Sequence, residues 1–372
     1  MLKLVMIARE ITKKEIELGI GKERSSTRLS PIYKTIDLNV PIKNNEIYIP
    51  SIPINPFEGT PLLLMPLFYI PHDESILFGT PTIVDKITSQ KLQPTHTILD
   101  PGKGTGSPII AASLETNEND ILILAACDQF HTPAVKKAIE TILEKMEKKG
   151  FESGTVLTTG TKNPAFSYIK VQGDKAINFM LKGTIPKDDM IAETMIVCCR
   201  VSYLKNQINK MKNTTIEDLS KLYPYENHEL LKIKDTLKEI SKCLNECKTA
   251  SEYLEKCPFC DFSKVIHRLL IPSMTFSTVD YQKEWDDLGD WQKVYNSPFY
   301  PKDENGNLVF SEENLISYTN CENSVIANFT NNKIIVNGLK NRIFASGSRG
   351  IIDLPLDMDP SMYKKEVVKI QM

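Results

Sequence analysis

The sequence predicts an α/β sheet protein that ends in a small all-β part, and three observations predict it. The run Ile121–Ala126 is continuously apolar between polar flanks, which suits a strand buried on both faces. Strand candidates at 97–99, 155–159, 168–171 and 195–199 alternate with helical patterns, the layout of an α/β sheet. After about Ser297, short β runs punctuated by Asn and Gly replace that alternation.

Taken in order, half of the 22 prolines fall between Pro41 and Pro108. Their spacing leaves no room for a regular helix, so this region reads as extended segments and loops. Thr97–Leu99 reads as a short strand, followed by the loop from Asp100 to Pro108 and a helix from about Ile109 to Glu115. Thr132 is placed to cap a helix, Pro133 suits its first position, and Gly150 its stop. Between them Val135, Ala138, Ile139, Ile142 and Met146 form one apolar stripe. Leu230, Ile233, Leu237, Ile240, Leu244 and Cys247 alternate spacings of three and four, which predicts an amphipathic helix packed on the same body in preference to a coiled coil. At the end, 308–310, 315–318, 324–327, 333–336 and 342–345 read as short strands with a rung-like spacing. The expected domains are 1–296, with a helical insertion at about 205–256, and 297–372.

Composition narrows the function classes. A length of 372 residues sets a prior of roughly two to three domains. Hydrophobic residues at 41% and charged residues at 25% exclude global disorder. Lys plus Arg is 45 against 47 for Asp plus Glu, so no net charge draws the chain to nucleic acid or an anionic membrane. No apolar stretch reaches the eighteen or so residues of a bilayer span. The start of the chain lacks the apolar core of a secretory signal. The expectation is a cytoplasmic protein with its eight cysteines reduced.

Four patches could carry chemistry. Asp128 follows the buried strand and precedes the capped helix, the place where open α/β sheets bind ligands. It reads either as a Mg²⁺ ligand on a phosphate or as an acid satisfying loop N–H groups. The loop Gly102–Gly106 has the small residues that admit a phosphate or base, yet it lacks the Walker spacing and also reads as a plain turn. Trp285–Trp291 (WDDLGDW) reads as a turn projecting an acid, or as a buried Trp pair beside solvated acids. Cys243, Cys247, Cys257, Cys260 and His267 pose the alternatives of a structural zinc and buried thiols.

Three of these patches, in this order, resemble the mannose-1-phosphate guanylyltransferase (GDP-mannose pyrophosphorylase) family. Ile98–Ala112 (ILDPGKGTGSPIIAA) is similar to the family's ILEPxGRNTAPAIALAA. Leu122–Gln129 (LILAACDQ) is similar to its LLVLPSDH, and Val156–Ile169 to its VTxGIxPTxPxTGYGYI. Phe179–Lys182 echoes FxEKP, and Asp261-Phe262 echoes SIDYAVMEK. Trp285–Trp291 and Lys302–Asn307 (KDENGN) are similar to WSDVGSW followed by KDxxGN. The resemblance spans roughly residues 80 to 350. It implies a divergent member with a Rossmann-like nucleotidyltransferase (GT-A-like) domain and a small C-terminal β-helix-like domain. It implies that a sugar-1-phosphate attacks the α-phosphorus of an NTP, most specifically mannose-1-phosphate on GTP, giving GDP-mannose and pyrophosphate. It further implies Mg²⁺ held by Asp128 and Asp287, Lys182 neutralising the sugar phosphate, and Lys103, Gly104 and Thr105 beside the nucleotide.

The family's glycine-rich opening loop is echoed only by Glu23–Pro31 (ERSSTRLSP), where Arg28 matches a catalytic arginine and the preceding glycines are absent. Leu181 stands for a Glu, Glu193 for the sugar-binding Asn, Ile266-His267 for a Glu-Lys pair, and Lys103 for an Arg. These departures leave a second expectation, a catalytically degraded homologue that binds nucleotide or nucleotide sugar in a regulatory or scaffolding role. No nucleic-acid or membrane partner is expected. A homo-oligomer is compatible with the sequence, which does not fix the assembly state.

Overall fold

The computed structural model describes residues 1–8, 39–40, 42–43, 46–47, 60–61, 65–79, 84, 93–181, 183, 186–288, 291–311, 315–328, 330–347 and 350–358. The chain forms two compact units. One contains the N-terminal strand, residues 69–126 and residues 132–285. The other contains residues 127–131 and the chain from Asp286 onward. The division therefore runs at Trp285/Asp286, where the sequence reading drew it at about 296, and it assigns the segment around Asp128 to the second unit. The proline-rich region lies mostly outside the described residues, apart from short pieces such as Asn39–Val40 paired with Thr60–Pro61.

The strands are β1 (Leu2–Ala8), β2 (Glu74–Gly79), β3 (His96–Leu99), β4 (Ile121–Ala126), β5 (Gln129–His131), β6 (Ser153–Thr159), β7 (Tyr168–Gln172), β8 (Lys175–Met180), β9 (Met190–Arg200), β10 (Met274–Asp280) and β11 (Trp285–Asp287). Nine of them build the sheet of the first unit, in the order β6-β10-β8-β7-β9-β4-β1-β2-β3, with a further pairing of β6 to β9. The strands β4, β1, β2 and β3 run parallel. The apolar run of β4 lies between β9 and β1 with its four central residues buried, as a doubly covered strand requires.

Strand β9 runs antiparallel to β4 through Val197–Arg200 and antiparallel to β7 through Met190–Ala192. It can serve two neighbours because its backbone turns at Met195, which has φ +64°, beside a register shift against Val156/Leu157 of β6.

Parallel strands need long crossovers, and helices supply them. These are α1 (Ser107–Ala112) and α2 (Pro133–Lys149). In α2 the Thr132 hydroxyl accepts the Ala134 N–H at 3.3 Å, Pro133 takes the first turn, and Gly150 ends the helix at φ +71°. The buried face is Val135, Ala138, Ile139, Ile142 and Met146. Helix α1 begins two residues before the expected start, because proline fits its first turn.

A helical layer follows β9: α3 (Val201–Met211), α4 (Ile216–Leu222), α5 (Asn227–Glu246) and α6 (Ala250–Lys256). The α5 stripe is buried in the main core with α3 and α6, so this helix packs on the body. A π-turn over Phe262–Ile266 leads into α7 (His267–Leu270).

In the second unit β5 pairs with β11, and α8 (Trp291–Asn296) follows. The C-terminal region is β-rich: β12 (Leu308–Phe310), β13 (Ile316–Thr319), β14 (Val325–Asn328), β15 (Ile334–Asn337), β16 (Arg342–Gly347) and β17 (Gly350–Pro355). Strands β12, β14 and β16 lie parallel in one sheet, with β17 antiparallel on its edge. Strands β13 and β15 pair in parallel in another. Cys321, Ile326, Val336 and Leu339 form a small core among them. Asn307 staples successive turns, donating to the Cys321 carbonyl at 2.8 Å and accepting the Ser324 N–H at 3.1 Å. Among the described residues, no helix is long and apolar enough to cross a membrane.

Candidate functional site

Past the end of β4 the chain reaches Asp128 within two residues, in the second unit, and turns into β5. The Leu288 N–H donates to the Asp128 carbonyl at 2.9 Å, so the two acidic segments lie side by side at the backbone. Asp128 is buried, and Asp287 is half-buried with its carboxylate 2.6 Å from Nζ of Lys293 on α8. Alternation along β11 sends the neighbouring Asp286 the other way, where it is fully buried. Burial, reinforced by the charge of Asp287, pushes Asp286 up to about 7. Burial and the Asp286 charge push the Tyr300 hydroxyl up as well. His131 is also fully buried, and desolvation holds its imidazole down at about 3.

Asp128 and Asp287 supply hard oxygen donors that fit Mg²⁺, whose other positions are commonly filled by phosphate oxygens and water. Lys293 on Asp287 is a cation that such an ion would have to share. Among the described residues, no three His, Cys, Asp or Glu side chains are grouped to hold a metal ion. The tetrahedral all-protein site of a structural zinc therefore finds no counterpart at Cys243, Cys247, Cys257 and Cys260. Those four thiols are unbridged, and burial pushes Cys257 up to about 11. Both tryptophans of the WDDLGDW motif are buried, so their role in packing holds alongside any role of the acids.

In the first unit the glycine loop has a protein partner. The Asp100 carboxylate accepts the Gly102 N–H at 2.8 Å, and Gly102 and Gly104 adopt φ of +87° and +96°. A Cβ on Gly104 would collide with the Cys260 carbonyl. The Cys260 N–H donates to the Lys103 carbonyl at 2.7 Å, and its own carbonyl accepts the Gly106 N–H at 2.9 Å. Lys103 Nζ donates to the Cys257 carbonyl at 3.1 Å, and the Thr105 hydroxyl accepts the Phe262 N–H at 3.2 Å. The small residues read as admitting a phosphate admit the Cys257–Phe262 segment. Leu181 packs on the main core. Arg28 and Lys182 lie outside the described residues, as do Gly289 and Asp290 of the tryptophan motif.

Residues the sequence reading did not assign to a site are Asp286 and Lys293, beside the acids, and the contact of Glu193 with His267. The tandem acids at 286–287 on a short strand are a signal for the first. Nothing in the sequence places Glu193 against His267, which it contacts at 3.0 Å in the first unit with both side chains fully buried.

No protein-family model matches the chain. No curated protein matches it either. Solved structures do. The chain is similar over 99% of its length to 98% of mannose-1-phosphate geranyltransferase from Thermus thermophilus, at 17% identity and a TM-score of 0.62. Looser likenesses extend to a putative glucose-1-phosphate thymidylyltransferase from Bacillus anthracis, at 11% identity and TM-score 0.47 over 80% of this chain and 94% of that one. Another is to mannose-6-phosphate isomerase from Helicobacter pylori, at 12% identity and TM-score 0.45 over 77% and 99%. The first likeness establishes the overall α/β fold with its β-rich C-terminal region.

Proposed function

We propose that the chain is a Mg²⁺-dependent nucleotidyltransferase that joins an NTP to a sugar-1-phosphate, most specifically GTP to mannose-1-phosphate, in the cytoplasm. The observation that carries this reading is the backbone contact between Leu288 and Asp128, which joins two acidic segments from distant parts of the sequence. The full-length fold likeness to a protein named for mannose-1-phosphate supports it.

In the proposed reaction an oxygen of the sugar phosphate forms a bond to the α-phosphorus. The bond from that phosphorus to the bridging oxygen breaks, and pyrophosphate leaves with the electron pair. Asp128 and Asp287 would hold the ion, which supplies charge neutralisation at the phosphates. Lys293 restrains the Asp287 carboxylate. The buried Asp286, kept from ready ionisation, limits the negative charge that the acidic segment adds near phosphates. Lys182 and Arg28 would neutralise phosphate oxygens, and Lys103, Gly104 and Thr105 would contact the nucleotide.

The test is a pyrophosphate-release assay over the common NTPs and hexose-1-phosphates, with and without Mg²⁺. The reading expects Mg²⁺-dependent turnover with at least one pair and a preference for GTP with mannose-1-phosphate. Turnover with another pair would correct the specificity. No turnover with any pair would remove the reaction.

A further inference from the structure

Strand β9 carries a local strain with no glycine to relieve it. Met195 sits at φ +64°, a region that side chains other than Asn or Asp rarely adopt and that recurs at functional sites. Because β9 is antiparallel to β4, going back from Val197 through Met195 to Glu193 leads past the carboxyl end of β4. There the Glu193 carboxylate lies 3.0 Å from Nδ1 of His267. Both side chains are fully buried, and none of their four polar atoms has a hydrogen-bond partner. A buried acid left without compensation is costly, and the imidazole at 3.0 Å is the polar group that faces it. The imidazole is fixed by Phe179 and Phe262, with ring centroids at 4.5 and 5.3 Å.

From His267 an unbroken path leads to the glycine loop. The His267 N–H closes the π-turn on the Phe262 carbonyl. The Phe262 N–H donates to the Thr105 hydroxyl at 3.2 Å. One turn earlier Cys260 pairs with Lys103 and Gly106 through its backbone, and it fills the space that a Cβ on Gly104 would take. π-turns inside helical segments are short and frequently sit at functional sites. Among the described residues of the first unit, this one joins a buried acid–imidazole contact to the only loop with two left-handed glycines within three residues.

We infer that Glu193 and His267 form a positioning pair, whose buried contact anchors the π-turn and thereby sets the Lys103–Thr105 loop for nucleotide binding. This rests on the reading of that loop as nucleotide-contacting.

The experiment uses the full chain and four variants. His267→Phe keeps a ring between Phe179 and Phe262 and removes the polar contact. Glu193→Leu/His267→Phe also removes the stranded acid, which restores stability if the single variant folds poorly. Glu193→Gln keeps a polar partner of the same shape, and Phe262→Leu serves as a packing control. Amide exchange at Gly106 and Phe262 is expected to rise about tenfold in His267→Phe and in the double variant, and to stay near wild type in Glu193→Gln. The KM for GTP is expected to rise about tenfold in the same two variants, with kcat within about twofold of wild type. Thermal stability is expected to recover in the double variant while the raised KM persists.

Recovery of KM together with stability would make the pair merely structural and overturn the inference. So would unchanged exchange at Gly106 in His267→Phe, or a raised GTP KM in Phe262→Leu equal to that in His267→Phe. If the wild type turns over no substrate pair, the reaction falls, and GTP affinity by calorimetry replaces KM. A wild type that binds no GTP while the exchange changes appear as expected leaves the anchor in place and removes its nucleotide role.

Discussion

The two segments that the sequence marks for phosphate chemistry are built in opposite ways. In the glycine loop of the first unit, the polar groups are met by protein. Asp100 holds Gly102, Cys260 pairs with Lys103 and Gly106, and Thr105 accepts from Phe262. In the acidic segment of the second unit, three carboxyl groups lie on two adjoining stretches of chain. Asp286 is buried and pushed up to about 7, Asp287 pairs with Lys293, and burial holds His131 neutral. The difference teaches that the loop's glycines serve close backbone packing, whereas the acidic segment keeps one carboxyl buried beside another. Substitution of the loop glycines should therefore cost stability, and substitution of the acids should cost turnover.

The largest expected effect falls on the acids. Asp128→Asn should lower kcat by about 100-fold or more, the scale of losing a group that stabilises developing charge. Its unfolding midpoint in urea should shift little. A large loss of stability with preserved kcat would reverse the contrast. Next comes the loop: Gly104→Ala must hold φ near +96° and displace the Cys260 backbone, which should cost about 2–3 kcal/mol in urea unfolding. A neutral result there would show that the close approach to Cys260 is not a constraint.

A pH effect sharpens the comparison from the acidic side. His131 titrates at about 3 in the fold, against about 6.5 in the unfolded chain. Between those values the unfolded chain takes up a proton that the folded one refuses. Stability therefore falls as pH drops below about 6.5, by at most about 1.4 kcal/mol per unit. His131→Gln should flatten this slope between pH 6.5 and 4.5, measured as urea midpoints, and an unchanged slope would assign the acid sensitivity elsewhere. The smallest effect is expected at Thr132→Ala. It removes the cap of α2 and the hydroxyl bond to the Glu284 carbonyl at 2.9 Å, for a loss of about 1 kcal/mol.

Legibility in the sequence follows the range of the interactions involved. Helix α2 is readable to its ends because cap, first-turn proline, stripe and stop glycine all act within one segment. Strand β4 is readable because a strand covered on both faces cannot alternate, and the short C-terminal strands are readable from their Asn and Gly punctuation. The partner of the glycine loop is not, since Thr105 and Phe262 stand 157 positions apart and no local pattern links them. Met195 gives no sign of its left-handed backbone, which glycine would have announced. The zinc alternative followed from a spacing that suits metal, but burial of the thiols answers to the apolar stripe of α5 and the core around α6. At the acidic site, Asp128 is legible as a residue just past a strand end. Its nearness to Asp287 comes from the β5–β11 pairing, which composition and periodicity do not encode.

The central claim is that Asp128 and Asp287 share one divalent ion. Titration of Mn²⁺ into the full chain with a nonhydrolysable GTP analogue, followed by paramagnetic resonance, tests it most directly. One tight site per chain is predicted in the wild type, lost in Asp128→Asn and equally lost in Asp287→Asn. Retention of that site in either variant would contradict the account.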